Sequence, residues 1–385
     1  AAEPPLIEET IGSLFHRISQ AFPDREALVS RHQGIRWTYR EYFHEVERLA
    51  AGLLALGIEP GDRVGIWAPN CYEWCLTQFA TARMGAILVC INPAYRVFEL
   101  EYALNKSGCK AIVAAESFKS SRYLEMLQRL APELDHCQPG QLRSEKLPAL
   151  STVIRMGEAR TPGMFNFADV CNKGEAQDLV RLAEVAQKLS PHDVINIQFT
   201  SGTTGNPKGA ALSHYNILNN ANQVAHGMRF TELDRLCIPV PMYHCFGMVL
   251  GKMACVTRGA TAVFPADAFE PGAVLEAVEA EKCTALHGVP TMFIAELEYP
   301  GFDRYDLSTL RTGIMAGAPC PVEVMKKVIS RMHMSEVLIA YGQTECSPVN
   351  HMTLADDPVE KRVETVGRAG PHLEVKLLDE QGRVV

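Results

Sequence analysis

Residues Thr200 to Lys208 hold the densest group of anion-seeking atoms in the chain. They read T-S-G-T-T-G-N-P-K, with hydroxyls at Thr200, Ser201, Thr203 and Thr204, glycines at Gly202 and Gly205, then Asn206, Pro207 and Lys208. Glycines let backbone N–H groups approach an oxyanion without Cβ clashes, hydroxyls add short donors, and the lysine adds a mobile positive charge. Such a cradle suits polyphosphate. A Gly/Ser/Thr-rich surface turn would share the composition, but the lysine inside the run and the apolar runs on both sides favour the anion reading.

This is not the common P-loop, G-x-x-x-x-G-K-[ST], which needs a hydroxyl after its lysine to hold magnesium. Here Gly209 follows Lys208. The metal ligand must come from elsewhere. The string Tyr341-Gly342-Gln343-Thr344-Glu345 offers a flat ring for a base, a hydroxyl for a phosphate and, at Glu345, a carboxylate for Mg2+. Taken alone, Glu345 also suits a solvated position at the start of a helix.

The elements that must position these groups alternate between short apolar runs and helical patterns. Ile11 to Phe22 has one apolar helical face, and Glu26 to Ser30 with Ile35 to Tyr39 reads as a hairpin. Thr38 and Glu41 make a capping box for the next helix, and Asn70 is placed to cap the one after that. Strands follow at 64–67, 86–91, 111–114, 152–155, 194–199, 236–240, 261–264, 285–287, 310–315 and 337–340, with helices of ten or more residues between many of them. The pattern implies parallel-rich sheets sandwiched with helices, and sites at strand C-terminal ends. Five predicted strands end in polar or small residues, at Thr200, His244, His287, Ala316-Gly317-Ala318 and Tyr341. Ends of parallel strands would bring them to one cleft.

T-S-G-T-T-G-N-P-K-G resembles the signature of the adenylate-forming enzymes, and Y-G-Q-T-E resembles their second signature. The segments L-S-H-Y-N-I-L-N-N and P-M-Y-H-C-F-G point, over nearly the whole chain, to acyl-CoA synthetases of the family-member-2 branch and their bacterial fatty-acid–CoA ligase relatives. The resemblance implies an α/β fold, the large N-terminal domain of that family, with a β-rich end. It implies ATP, Mg2+ and the co-substrate CoA, and a fatty acid activated as acyl-adenylate before thioester formation. Thr200, Lys208, Thr344 and Glu345 become the catalytic group. Residues Thr200 to Lys208 and Tyr341 to Thr344 would bind nucleotide, with Gly317, Ala318 and Pro319 as the adenine wall. His244 takes the place of an acyl gate. Cys245, Phe246, Gly247, His287, Gly288, Val289 and Pro290 would line the acyl tunnel, although plain core packing accounts for them equally simply.

Composition sets bounds. The chain has 385 residues, 47% of them hydrophobic, and a net charge of −8. That suits one large globular domain, residues 1–385, with approximate subdivisions 1–190, 191–350 and a β-rich start at 351–385. The acidic balance argues against nucleic acid and anionic membranes as partners, and leaves small molecules. No apolar run reaches membrane length. Twelve cysteines without a C-x-x-C pair read as reduced core residues of a cytoplasmic protein, or of a mitochondrial one whose transit peptide has been removed.

The family continues with a T-G-D string, a hinge and a small domain carrying a catalytic lysine. None of these occurs before Val385, so the chain is expected to be the large domain without the small one, and slow in adenylation. An aryl-acid adenylating ligase and a non-catalytic acyl- or nucleotide-binding module are the rival readings. An amino-acid substrate is disfavoured, because Tyr243-His244-Cys245-Phe246 offers no acid for an ammonium group.

Overall fold

The computed structural model describes residues 3–200 and 205–385. Two sheets dominate it. One has nine strands, in the order Arg368–Ala369, Val349–Met352, Glu336–Gly342, Thr312–Met315, Ala285–Leu286, Arg235–Cys237, Thr261–Phe264, Glu26–Ser30 and Ile35–Thr38. The other has seven, in the order Met164–Asn166, Thr152–Arg155, Cys109–Ala114, Arg63–Trp67, Ile87–Cys90, Val194–Thr200 and Lys208–Ser213. Both are parallel in the middle and antiparallel at an edge. Parallel strands need helical crossovers, which bury both sheet faces. Hence Val64, Ile66, Leu88, Val89, Ile112 and Val113 are all buried in one apolar core.

The sheets exchange strands across residue 190. The hairpin Glu26–Thr38 joins the nine-stranded sheet, where Leu28 to Ser30 pair parallel with Ala262 to Phe264. The strand Val194–Thr200 joins the seven-stranded one beside Leu88 to Cys90. Local sequence sets a strand's period, but its neighbour is chosen by which apolar face remains to be covered.

Several local expectations hold. The helix Ile11–Ala21 is N-capped by Thr10, and Thr38 with Glu41 forms a complete capping box for Tyr39–Ala55. Ser213 caps His214–Gly227, its hydroxyl accepting from the Asn216 N–H. Asn70 does not cap the helix Tyr72–Met84. Its amide donates to the Val240 carbonyl and its Oδ1 accepts from the Met242 N–H, joining the two sheet regions. Residues 246–253 are helical in the wider π form before an α-turn at Ala254–Val256. Of the β-rich section expected at 351–385, only Val349–Met352 and Arg368–Ala369 form strands, and Leu378 only bridges to Val384. The strand Val349–Met352 and the helix Val359–Glu364 carry too weak a period to have been anticipated.

One buried acid stands out. Glu296 on the helix Pro290–Leu297 is fully buried, and neither carboxylate oxygen has a hydrogen-bond partner among the described residues. Burial pushes its pKa well above the ordinary carboxylate range, so the folded protein keeps the proton. With the folded pKa above the unfolded one, its contribution is fully present below the unfolded pKa and is lost as pH rises towards the folded value. Glu296→Met should therefore stabilise the domain by about 1–3 kcal/mol at neutral pH. Melting curves at pH 5 and pH 8 check this: the gain should be larger at the higher pH, and an equal or negative gain would refute it.

Candidate active site

The phosphate-type run connects two paired strands at the edge of the seven-stranded sheet. These strands, Val194–Thr200 and Lys208–Ser213, pair antiparallel with Thr200 opposite Lys208. The Thr200 hydroxyl donates to the Lys208 carbonyl at 3.4 Å. Ser201, Gly202, Thr203 and Thr204 lie outside the described residues. The Tyr102 hydroxyl, from the helix Val97–Ser107, donates to the Pro207 carbonyl at 3.1 Å and ties the base of the turn to the body of the protein.

The hairpin faces a cleft of about 550 Å³. Thr200 and Lys208 form one wall. His244, Phe246 and Leu250 form a second, from the connection after Arg235–Cys237. Ala316 and Gly317, beyond Thr312–Met315, and Ala340 to Glu345, at the end of Glu336–Gly342, supply the rest with Pro348 and Val349. Four of the five predicted strand ends therefore meet, because parallel strands end on one side of their sheet. A neighbouring groove of about 550 Å³ is lined by Gly317, Ala318, Pro319, Cys320, Ile339 to Gly342 and Val363 to Val366. The ring of Tyr341, 54% exposed, stands between the two hollows. Gly317 has φ +92°, a left-handed conformation that favours glycine. Gly205 and Asn206 are exposed and belong to the turn rather than to the described cleft wall.

The fifth strand end is a correction. His287 is fully buried; its Nε2 bonds the Leu250 carbonyl at 2.8 Å and its Nδ1 accepts the Ile314 N–H at 3.1 Å. Both ring nitrogens are spent on a strut that leaves the imidazole neutral, and burial lowers its pKa to about 4. Gly288, Val289 and Pro290 continue this packed layer and do not line the cleft: Gly288 bridges to Met315, and Val289 packs under Gly317. Cys245 and Gly247 are also behind the wall. The Cys245 thiol donates to Gln198 Oε1 at 2.9 Å, and a Cβ on Gly247 would sit 2.4 Å from the Pro241 carbonyl oxygen. Only His244 and Phe246 of the expected acyl-lining residues reach the cleft. His244 Nδ1 accepts the Phe246 N–H at 3.2 Å, and desolvation lowers its pKa, so the ring is neutral.

The sequence carries no signal for Leu250, Val349 or Tyr102, each of which reads locally as an ordinary core or helix-face residue. It also missed a second cavity of about 550 Å³ on the far side of Tyr243-His244. That cavity collects loops after strands of both sheets, including Asn70, Pro93, Arg96, Lys119, Pro241, Tyr243 and Met292. Pro93, just after the strand Ile87–Cys90, lines it and Tyr95 does not. Among the described residues no group of three or more His, Cys, Asp or Glu is arranged to hold a metal, and no helix is long and apolar enough to cross a membrane. All twelve cysteines are free thiols.

Residues 15–385 match the family model described as AMP-binding enzyme. The chain is 50% identical over 374 residues to "Putative acyl-CoA synthetase YngI" of Bacillus subtilis, covering 97% of this chain and 68% of that protein. It is 46% identical over 379 residues to the mitochondrial medium-chain acyl-CoA ligase ACSF2 of Bos taurus, covering 97% of this chain and 62% of that protein. The chain thus spans about two thirds of the length of these relatives. Among solved structures it superposes on an anthranilate CoA ligase complexed with anthranoyl-AMP (TM-score 0.86, 23% identity, 99% of this chain and 68% of that one). It also matches the N-terminal domain of FACL13 from Mycobacterium tuberculosis (TM-score 0.82, 24% identity, 98% of this chain and 86% of that one). At such identities the structural likeness speaks to the fold alone.

Proposed function

Because the chain belongs to the AMP-binding enzyme family, in its acyl-CoA synthetase branch, we propose that it carries the site at which a fatty acid is activated by ATP and passed to CoA. What supports this most is the convergence of Thr200, Lys208, Thr344 and Glu345, from strand ends of two different sheets, on one cleft with Tyr341 at its rim.

The chemistry asks for positioning and charge neutralisation rather than a protein nucleophile. A substrate carboxylate oxygen attacks the α-phosphorus in line, the bond to the bridging oxygen of the β-phosphate breaks, and pyrophosphate leaves. Lys208 offsets charge on the departing phosphates, and the Thr200 and Thr344 hydroxyls donate to their oxygens. Tyr341 and Gly317-Ala318-Pro319 flank the space for the base. The donor set fits magnesium, a hard cation that keeps several waters and takes one or two carboxylates plus substrate phosphates: Glu345 would hold it, and it would supply positive charge beside the β- and γ-phosphates. In the second step the CoA thiolate attacks the activated carbonyl carbon and AMP departs. The buried thiols of the chain have no part in this; burial pushes the Cys245 thiol far above its usual range.

The second cavity suits the anionic end of CoA. It carries Arg96 and Lys119 against one acid, Asp267, and its Tyr243 adjoins His244 of the adenylation cleft. The pairing of thiols with a reducing interior is consistent with cytoplasm or mitochondrial matrix.

Pyrophosphate exchange with ATP tests the reading. It should depend on octanoate and be weaker with benzoate; exchange independent of any acid, or supported by benzoate alone, would overturn it. Arg96→Ala and Lys119→Ala should each weaken CoA binding about 10-fold, the scale of one hydrogen bond to a charged group, and leave ATP affinity unchanged. Calorimetric titration reads both, and an unchanged CoA affinity would remove the cavity from the path.

A further inference from the structure

The layer behind the cleft is more polar than an alkyl tail requires. Along the strand Val194–Thr200, side chains two apart share a face. Thr200 lines the cleft, Gln198 lies behind it and Asn196 behind that, about 13 Å in all. Gln198 and Asn196 are both buried. Gln198 accepts from the Cys245 thiol and donates to Met248 Sδ at 3.6 Å. Asn196 donates to the Leu88 carbonyl at 3.1 Å and to Cys90 Sγ at 3.4 Å, and its Oδ1 has no partner among the described residues.

The opposite wall is the π-helical segment Phe246–Met253. Phe246 and Leu250 face the cleft. Near its end, Lys252 is 1% exposed, and its Nζ has no hydrogen-bond partner among the described residues. The ammonium lies 5.1 Å from the centre of the Trp74 ring and 5.0 Å from that of Phe79. Two further donors on the adjoining helices, Trp74 Nε1 and the Tyr42 hydroxyl, are also buried without a well-formed hydrogen bond among the described residues, the Tyr42 hydroxyl having only the Cys75 thiol beside it. The Cys75 thiol stands beside both Tyr42 and Lys252, and Cys71 and Cys90 are the other titratable groups near the amine. None of these neighbours is a carboxylate; Glu73, on the helix that carries Trp74, accepts from Gln33 and stands beside Cys71. A buried cation without a counter-charge is costly, and burial lowers the amine's pKa. Lys252 and Tyr42 share only the Cys75 sulfur, a weak acceptor, so an anion would find donors there that the protein leaves poorly matched.

We propose that the acyl path of this protein ends at Lys252 and takes a chain whose far end is itself a carboxylate, bound by the Lys252 ammonium with the Trp74 and Tyr42 donors. The proposal rests on the adenylating function above. On this path Met248, an unbranched and adaptable side chain in contact with Gln198, would have to swing aside. The polar row Gln198–Asn196 then lies along the path, and the tail carboxylate supplies the charge that Lys252 lacks.

Two non-hydrolysable acyl sulfamates of adenosine separate this proposal from its premise, one carrying an octanoyl group and the other a suberoyl group with a free ω-carboxylate. The native chain should bind the suberoyl compound at least 10-fold more tightly, and Lys252→Met should abolish or reverse that preference. The comparison of the two compounds on the native chain needs no variant. Tight octanoyl binding with no suberoyl preference, or a preference untouched by Lys252→Met, would overturn the proposal and leave the ligase reading standing. Failure of both compounds to bind would remove the ligase reading and this proposal together.

Discussion

Glu345→Gln should lower octanoate-dependent pyrophosphate exchange by about 10²–10³-fold, the usual loss when one preorganised charge stabiliser is removed. The change is nearly isosteric. Glu345 is exposed on the cleft wall, at the short helical turn Thr344–Cys346, so removing its charge leaves the packing untouched and the melting temperature should stay put. What is lost is the single carboxylate that the cleft offers to a hard cation. Exchange by the variant should accordingly need a higher magnesium concentration for half-maximal rate. Wild-type exchange at wild-type magnesium dependence would place the metal elsewhere and remove Glu345 from the mechanism.

Gly342→Ala should damage fold and site together. A Cβ at Gly342 would lie 1.9 Å from the Pro348 carbonyl oxygen and 2.7 Å from its carbon. Both are backbone atoms that cannot rotate away. That same oxygen accepts the Gln343 N–H at 3.0 Å, so any shift that relieves the clash breaks the bond anchoring the next residue. The register of Glu336–Gly342 against Val349–Met352 already slips between Tyr341 and Gly342, and this irregularity turns Gln343 to Glu345 into the cleft. Overpacking of this kind costs about 1–3 kcal/mol, and a displacement of about 1 Å in positioned groups can cost about 10²-fold in rate. The variant should melt lower, bind ATP more weakly and exchange pyrophosphate slowly. If it melts and turns over like the native chain, the strand end is more compliant than its backbone contacts allow.

Much of this protein can be read without its structure. The chemistry of 200–208 and 341–345 is local: hydroxyls, glycines, one lysine and one acid in contiguous strings, with their meaning carried by residue type and spacing. The alternation of short apolar strands and helices likewise follows from period and capping, as at Thr38–Glu41 and Ser213. Tertiary structure alone decided what lies beside what. His287 has the same residue type and a similar strand-end setting as His244, yet one is a strut between Leu250 and Ile314 and the other edges the cleft. The difference is made by partners 37 and 27 residues away. Lys252 looks like any helix lysine until the Trp74 and Phe79 rings close over it, and Tyr102 like any helix tyrosine until Pro207 comes within reach. Residue type limits the bonds a side chain can make; distant packing determines which of them remain unmade, and those unmade bonds are where ligands are expected.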